Sequence, residues 1–224
     1  IKLFQYFGLQ QPLPSTHPEY LVNGVVTNIV LTEEADVWVT YVTEGAGYKN
    51  ILGYYTYDVN NPPTQISDIE SSMTIVFPNV SNVNSGGGLT PGNKVLLGTF
   101  PGGTAIGYFL LADGWRNQQI TNGNWRLFSN SNLNPETDNL LKQHNVMLND
   151  NNTKVILGFE DIQRDNSSCD QDFNDALFYV TANPREAIDF TDIPDIENPE
   201  EDDFCMDYEI TFDGVQNDYE NNTS

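Results

Sequence analysis

Apolar and polar positions alternate through much of the chain, and a helical period is rare. The clearest alternation is Asp36–Thr43, where Val37, Val39 and Tyr41 fall on one side of the segment. A period of two is typical of a strand with one buried face, because successive side chains point to opposite sides. The pattern therefore predicts a strand here that turns these three side chains toward a core.

Other segments rich in β-branched and aromatic residues end at Gly, Asn or Pro. The further predicted strands are Val25–Leu31, Leu52–Asp58, Met73–Phe77, Lys94–Phe100, Ala105–Ala112, Trp125–Phe128, Thr153–Glu160 and Ala176–Thr181. The Pro-Gly-Gly-Thr sequence at 101–104 predicts a hairpin turn. Glu136–Gln143 could form a short helix after Pro135 or remain a loop. Strands separated in this way, without a repeat, predict an all-β fold: a β-sandwich or jelly-roll-like arrangement of antiparallel sheets with long loops.

The charge of the chain is unevenly distributed. The 224 residues carry a net charge of −23, and 14 of the 32 acidic residues follow Arg185, where no Lys or Arg occurs. We therefore expect a β-domain over residues 1–184 and an acidic extension over 185–224, with a possible final strand at Asp207–Phe212. Such a charge argues against nucleic acid as a partner and against docking on anionic lipid. No apolar run is long enough for insertion into a membrane.

The strongest candidate for a functional site is the acidic stretch of residues 158–175, GFEDIQRDNSSCDQDFND. Six carboxylates lie within this short stretch, and Asp170, Asp172 and Asn174 have the alternate spacing of calcium loops. Ca²⁺ takes about 6–8 oxygen ligands from carboxylates, amides and carbonyls. The Gly, the distal Glu and the flanking helices of an EF-hand are missing. The sequence predicts a Ca²⁺ loop on a β scaffold, with a solvated Asx-rich turn as the alternative.

Other site chemistries find less support. The two cysteines, Cys169 and Cys205, could form one disulfide or remain as two thiols. Zinc is not expected, because the only histidines are His17 and His144. No nucleophile motif or phosphate-binding loop is present, so an enzyme is not expected. A carboxylate-based glycan-active enzyme remains an alternative.

The acidic stretch also carries a family resemblance. GFEDI, a polar insert and then DQDFNDALFYV resemble the C-terminal signature of a bacterial domain family of unknown function, DUF4114. Thr43–Tyr48 with the following Leu-Gly-Tyr-Tyr, and Ile106–Gly114, resemble weaker segments of the same family. The resemblance covers about residues 35–184.

The family resemblance implies a β-sandwich module of large secreted or surface-anchored bacterial proteins, often adhesin-like, with Ca²⁺ sites. It implies that Glu44 completes the metal shell; the alternative is a solvent-facing loop side chain. The residues that match the family motif directly and are expected as further metal ligands are Glu160, Asp161, Asp170, Asp172, Asn174 and Asp175.

A ligand surface is expected near this loop, at Trp115, Asp113 and Tyr48, because a loop aromatic beside carboxylates is common in binding sites. The expected function is a calcium-dependent ligand-binding, adhesive module of a larger multidomain protein, located outside the cell or on the bacterial surface. A glycan or a peptide is the expected ligand. The alternatives are a structural spacer rigidified by Ca²⁺ and a glycan-active enzyme.

Overall fold

The computed structural model describes residues 11–22 and 24–196, and most regular structure in these ranges is β. The strands are β1 (Ile29–Val30), β2 (Ala35–Thr43), β3 (Ile51–Asp58), β4 (Thr74–Phe77), β5 (Lys94–Phe100), β6 (Thr104–Ala112), β7 (Trp115–Arg116), β8 (Gln119–Ile120), β9 (Trp125–Phe128), β10 (Asn145–Asp150), β11 (Lys154–Phe159) and β12 (Ala176–Asn183). The helical elements are short: α1 (Leu13–Thr16) and 3-10 turns at Pro18–Leu21, Ile66–Asp68, Ser131–Leu133 and Arg185–Ala187. Among the described residues, no helix is long and apolar enough to cross a membrane.

Two antiparallel sheets form the body. The first has the order β1–β6–β3–β4, with β9 also paired to β6, and the second has the order β10–β11–β12–β2–β5. A two-stranded ribbon, β7–β8, is separate from both sheets. The predicted all-β class with antiparallel sheets is therefore confirmed.

The main core lies between the two sheets. Val37, Val39 and Tyr41 of β2 are fully buried there, as the alternation of that segment predicted. The first sheet contributes side chains such as Tyr108 and Leu110 to the same cluster. Because one apolar face of each sheet is removed from water in this layer, its burial is the main force that holds the sandwich together.

Each sheet also has an apolar cluster on its outer face. Leu13, Tyr20 and Leu21 from the N-terminal segment cover Val146 and Ile156 of the second sheet. A further cluster on the first sheet includes Phe109 and Leu111 of β6 and Phe128 of β9. β6 is therefore buried on both faces, which explains its almost continuous apolar sequence.

One expectation about local structure is corrected, and of the two alternatives for Glu136–Gln143 the loop is found. β5 and β6 do not form a hairpin, because β5 pairs with β2 whereas β6 pairs with β1, β3 and β9. The turn at 101–103 instead carries the chain from one sheet to the other. Residues 136–143 form turns and irregular structure rather than a helix, and β10 follows directly as a strand that the sequence did not predict.

The described part of the acidic extension packs on the body. Ala187, Ile188 and Ile193 belong to the main core, and Ile188 bridges to Leu31. Asp195 bridges to Asn149 at the edge of β10. The packed body thus continues to about residue 196, beyond the boundary expected at 184, because three apolar side chains interrupt the acidic composition. The possible strand Asp207–Phe212 and Cys205 lie outside the described residues.

Candidate metal centre

Several strand ends bring the acidic loop and a second loop together. β11 ends at Phe159 and β12 begins at Ala176, and these two residues are register partners. The loop 160–175 therefore leaves and re-enters the second sheet at one edge. Thr43, the last residue of β2, pairs with Leu177 at the same edge, so the Glu44–Tyr48 loop begins beside the acidic loop.

Three predicted metal ligands converge in this loop. One carboxylate oxygen from each of Glu160, Asp170 and Asp172 lies within 4.8 Å of the others. Glu160 and Asp172 are buried, while Asp170 is exposed. Three hard oxygen donors at this separation suit Ca²⁺, which would need further oxygens from backbone, amide or ligand to reach its usual 6–8.

The loop that brings these carboxylates together has a backbone conformation that is unusual for its residues. Gln171 and Phe173 have positive φ values of 59° and 57°, in the left-handed region that side-chain-bearing residues rarely adopt. Phe173 is fully buried in the cluster on the outer face of the second sheet. Its backbone N–H donates to Glu160 Oε1 at 2.6 Å. Burial of the ring thus offsets the backbone strain and holds the loop on Glu160.

Arg164 fixes the other side of the loop. Its guanidinium donates to the carbonyl oxygens of Leu140 and Gln143, at 2.8 and 3.2 Å, and to Gln171 Oε1 at 2.9 Å. It also lies over the Phe173 ring, with its Cζ 5.2 Å from the centroid. Arg164 is therefore a structural anchor, and sequence reasoning did not identify it.

Two of the three carboxylates of the cluster, those of Glu160 and Asp172, are buried. In residues 11–22 and 24–196, no Lys or Arg forms an ion pair with Glu160, Asp170 or Asp172. Burial, together with the charges of the neighbouring aspartates, raises the pKa of Glu160 to about 7. Burial likewise raises the pKa of Asp172. A buried charge needs a compensating partner, and a divalent cation would supply it.

A second pair of predicted ligands lies next to the cluster. The backbone N–H of Asp161 donates to Asp175 Oδ2 at 2.8 Å, and Asn50 Nδ2 donates to Asp161 Oδ2 at the same distance. Burial raises the pKa of both acids, and the charge of Asp161 raises that of Asp175 further. Asn50, buried and directly bonded to the site, is a residue that sequence reasoning missed, because an Asn between two strands gives no metal signal.

These acids face a pocket of about 460 Å³. Its lining combines Gly45, Ala46, Gly47 and Tyr48 from one loop with Glu160, Asp161, Ile162, Ser168, Cys169, Asp170 and Asp175 from the other. The Tyr48 ring lies 6.2 Å from the Trp125 ring, centroid to centroid. The Cys169 thiol donates to Glu160 Oε2 at 2.9 Å. The pocket therefore has an acidic wall and an aromatic edge.

Asn174 connects the two loops. Its side-chain amide nitrogen donates to the Asp172 carboxylate, and its backbone carbonyl oxygen accepts from the Gly45 N–H at 3.1 Å. A Cβ at Gly45 would lie 2.1 Å from Asn174 Oδ1, so only glycine fits this approach. Glu44 precedes this contact but is outside the three-carboxylate cluster. Its Oε1 is buried with no hydrogen-bond partner among the described residues.

Two of the predicted ligand-binding residues lie away from the pocket lining. Asp113 forms an ion pair with Arg116 at 2.7 Å, and its backbone N–H donates to the side-chain oxygen of Asn50 at 2.9 Å. Trp115 is half-buried against the cluster on the first sheet. Tyr48 does line the pocket, and Trp125, not Trp115, is the tryptophan beside it.

His144 lies just before β10 and is buried. Its side chain is fully buried, and Nε2 lies 2.6 Å from Glu136 Oε1. Its backbone carbonyl accepts from the Glu160 N–H at 3.0 Å. This pair contacts the site through the backbone of Glu160, and neither of its side chains lines the pocket.

Fold and site together define an antiparallel β-sandwich that carries a carboxylate-lined pocket at one end. Residues 100–183 match the model of a family described as a domain of unknown function, DUF4114. The resemblance to this family is confirmed over that segment, which contains β6 to β12 and the whole acidic loop. No curated protein and no solved structure matches the chain.

Proposed function

We propose that this protein binds Ca²⁺ in the pocket of loop 160–175. The observation that carries the proposal is the convergence of Glu160, Asp170 and Asp172 with no ion-paired Lys or Arg in the described ranges. Asp161 and Asp175 line the same pocket, and Asn174 ties the loop to Gly45. A bound cation would neutralise these charges and fix the loop backbone.

We further propose that the bound Ca²⁺ serves an adhesive module, which holds a glycan or peptide ligand. The pocket leaves space beside the carboxylates, and Tyr48 offers a ring face at its edge. Ligand hydroxyl or carboxylate oxygens would complete the metal shell, while the ring packs against an apolar part of the ligand. The extracellular or bacterial surface location and the larger multidomain protein remain parts of this proposal.

Two alternatives make different demands on the same pocket. A structural spacer would use Ca²⁺ only to rigidify the loop and would need no external ligand. A glycan-active enzyme would use two of the carboxylates as acid and nucleophile, and hydrolysis of a polysaccharide would reveal it. The space next to Tyr48 favours the ligand-binding role over the spacer.

The test is to measure binding of the protein to immobilised glycans and peptides in Ca²⁺ and in EDTA. We expect binding that is lost in EDTA and reduced several-fold in Tyr48→Ala, because packing against an aromatic ring contributes about 0.5–1.5 kcal/mol. Tyr179→Ala, on the outer face of the second sheet, is the matched control and should bind normally. Thermal stabilisation by Ca²⁺ with no binding to any of the glycans or peptides would support the spacer instead.

A further inference from the structure

An apolar groove lies on the outer face of the first sheet, away from the acidic pocket. It has a volume of about 350 Å³ and is lined mainly by Met73, Ile75, Phe109, Leu111, Ile120 and Arg126. Phe109 and Leu111 form a buried floor on β6, whereas Ile120 at the end of the β7–β8 ribbon is 52% exposed. No Asp or Glu lines the groove, which is notable in a chain with a net charge of −23.

The sheet register places one cation on this apolar face. Arg126 is the register partner of Leu111, and Phe128 is the partner of Phe109, so all four side chains share the outer face. Arg126 is half-buried, and its guanidinium carbon lies 5.8 Å from the centroid of the Phe128 ring. The stem of the arginine thus packs on apolar surface while its charged end borders the groove.

Arg126 differs from the other arginines of the chain. Arg116 is paired with Asp113, Arg185 with Glu186, and Arg164 donates three hydrogen bonds. The side chain of Arg126 forms neither a hydrogen bond nor an ion pair within the described residues. Its five N–H donors, next to an apolar floor, form a complementary surface for a planar anion attached to an apolar body.

From this juxtaposition we propose that the groove binds a small apolar monocarboxylate. The carboxylate would accept the bidentate hydrogen bonds of Arg126, and the aliphatic chain would lie over Phe109 and Leu111 against Met73 and Ile120. A volume of about 350 Å³ is at the lower end for ligand pockets, which suits one short chain rather than a two-chain lipid. This proposal does not depend on the calcium site, because the two sites share no lining residue.

The test is calorimetric titration of the full chain, in EDTA, with octanoate and with octanol as the uncharged match. We expect saturable one-site binding of octanoate and at least tenfold weaker binding of octanol, because a carboxylate accepts two charge-assisted hydrogen bonds from Arg126 and a hydroxyl group cannot. Arg126→Gln should weaken octanoate binding about tenfold and leave octanol binding unchanged. Ile120→Ser should weaken both ligands, and its exposed position makes unfolding of this variant unexpected.

Arg185→Gln is the matched control, because Arg185 is exposed and lies outside the groove. It should bind octanoate as the unmodified protein does. Absence of saturable octanoate binding, or equal binding by Arg126→Gln of unchanged thermal stability, would overturn the proposal. Binding of a peptide with the sequence of residues 204–212 in place of octanoate, in an Arg126-dependent manner, would also overturn it by assigning the groove to this chain's own segment.

Discussion

The two ends of the second sheet both carry carboxylates, but their environments are opposite. At the end where β12 finishes, Glu186 pairs with Arg185 at 3.2 Å and Asp189 accepts from the Thr191 N–H at 3.0 Å. A hydrogen bond from its own backbone N–H, and then Arg185, lower the pKa of Glu186, and hydrogen bonds from the side chain and backbone of Thr191 lower the pKa of Asp189. At the end where β12 begins, burial raises the pKa of Glu160 and Asp172.

The comparison shows that acidic composition does not by itself mark a metal site. The extension is the more acidic segment in sequence, yet Glu186, Asp189 and Asp195 are satisfied by ordinary hydrogen bonds and a surface ion pair. The loop 160–175 instead buries Glu160, Asp161 and Asp172 where no Lys or Arg pairs with them in the described ranges. Burial of uncompensated charge is the property that indicates a cation at one end only.

The largest effect should follow from removing the ring beneath the loop. Phe173→Ala deletes a fully buried side chain and should lower the free energy of unfolding by about 3–5 kcal/mol, measured by urea denaturation. It should also abolish Ca²⁺ binding, because Phe173 holds the loop against Glu160. Phe190→Ala, half-buried at the opposite end, is the control and should retain Ca²⁺ binding. Normal Ca²⁺ affinity in Phe173→Ala would contradict this account of the loop.

A pH effect of smaller size should distinguish the two ends in the metal-free protein. The pKa of Glu160 is about 7 in the folded state against 4.5 unperturbed, so its stabilising contribution is complete below about pH 4.5 and is lost as pH rises through 7. This shift corresponds to about 3 kcal/mol. In EDTA, the free energy of unfolding should therefore fall between about pH 4.5 and about pH 7, the interval set by these two values.

Two comparisons check the source of this pH dependence. Glu160→Gln should reduce the slope, because the amide keeps an oxygen for the Phe173 N–H but cannot ionise. Saturating Ca²⁺ should reverse the trend, because the ionised carboxylates are then the ones that bind. A metal-free stability that rises with pH over this interval would be incompatible with the raised pKa of Glu160.

The smallest of the three effects concerns the contact between the loops. Gly45→Ala would place a methyl group 2.1 Å from Asn174 Oδ1, so the Asn174 amide must shift from the position in which it donates to Asp172. We expect Ca²⁺ affinity to fall about tenfold, or ~1.4 kcal/mol, measured by calorimetric titration. Gly47→Ala is the matched control, because nothing lies within 4 Å of the position of its added carbon. Equal affinity in both variants would show that the Gly45 contact does not support the site.

The sequence was sufficient for most of the long strands and their faces, but not for β10 or for the pairing of the strands. Alternation identified Val37, Val39 and Tyr41 as core, because burial of one face is a local property of the strand. The pairing of β5 with β2 could not be read in this way, since a Pro-Gly-Gly turn fits both a hairpin and a corner between sheets. Likewise, Ile188 and Ile193 are too sparse in an acidic stretch to predict that it packs on the body.

For the site, the spacing of ligands within one loop could be read from the sequence, whereas the contacts between loops could not. Asp170 and Asp172 are close in sequence, so their convergence followed from the motif. Asn50 and Trp125 reach the site from distant strands, and no local pattern distinguishes them from other residues of their kind. Trp115 followed Asp113 and Gly114 in a promising loop, but its ring packs on the first sheet instead.

The central claim is tested most directly by thermal unfolding in about 2 mM Ca²⁺ and in EDTA, with Asp172→Asn compared with Asp189→Asn. The account predicts that Ca²⁺ raises the midpoint of the unmodified protein by about 5 °C or more. Asp189→Asn, at the opposite end, should show the same rise, and Asp172→Asn should show little or none. Equal midpoints in Ca²⁺ and EDTA, or an undiminished rise in Asp172→Asn, would contradict a calcium site in the loop.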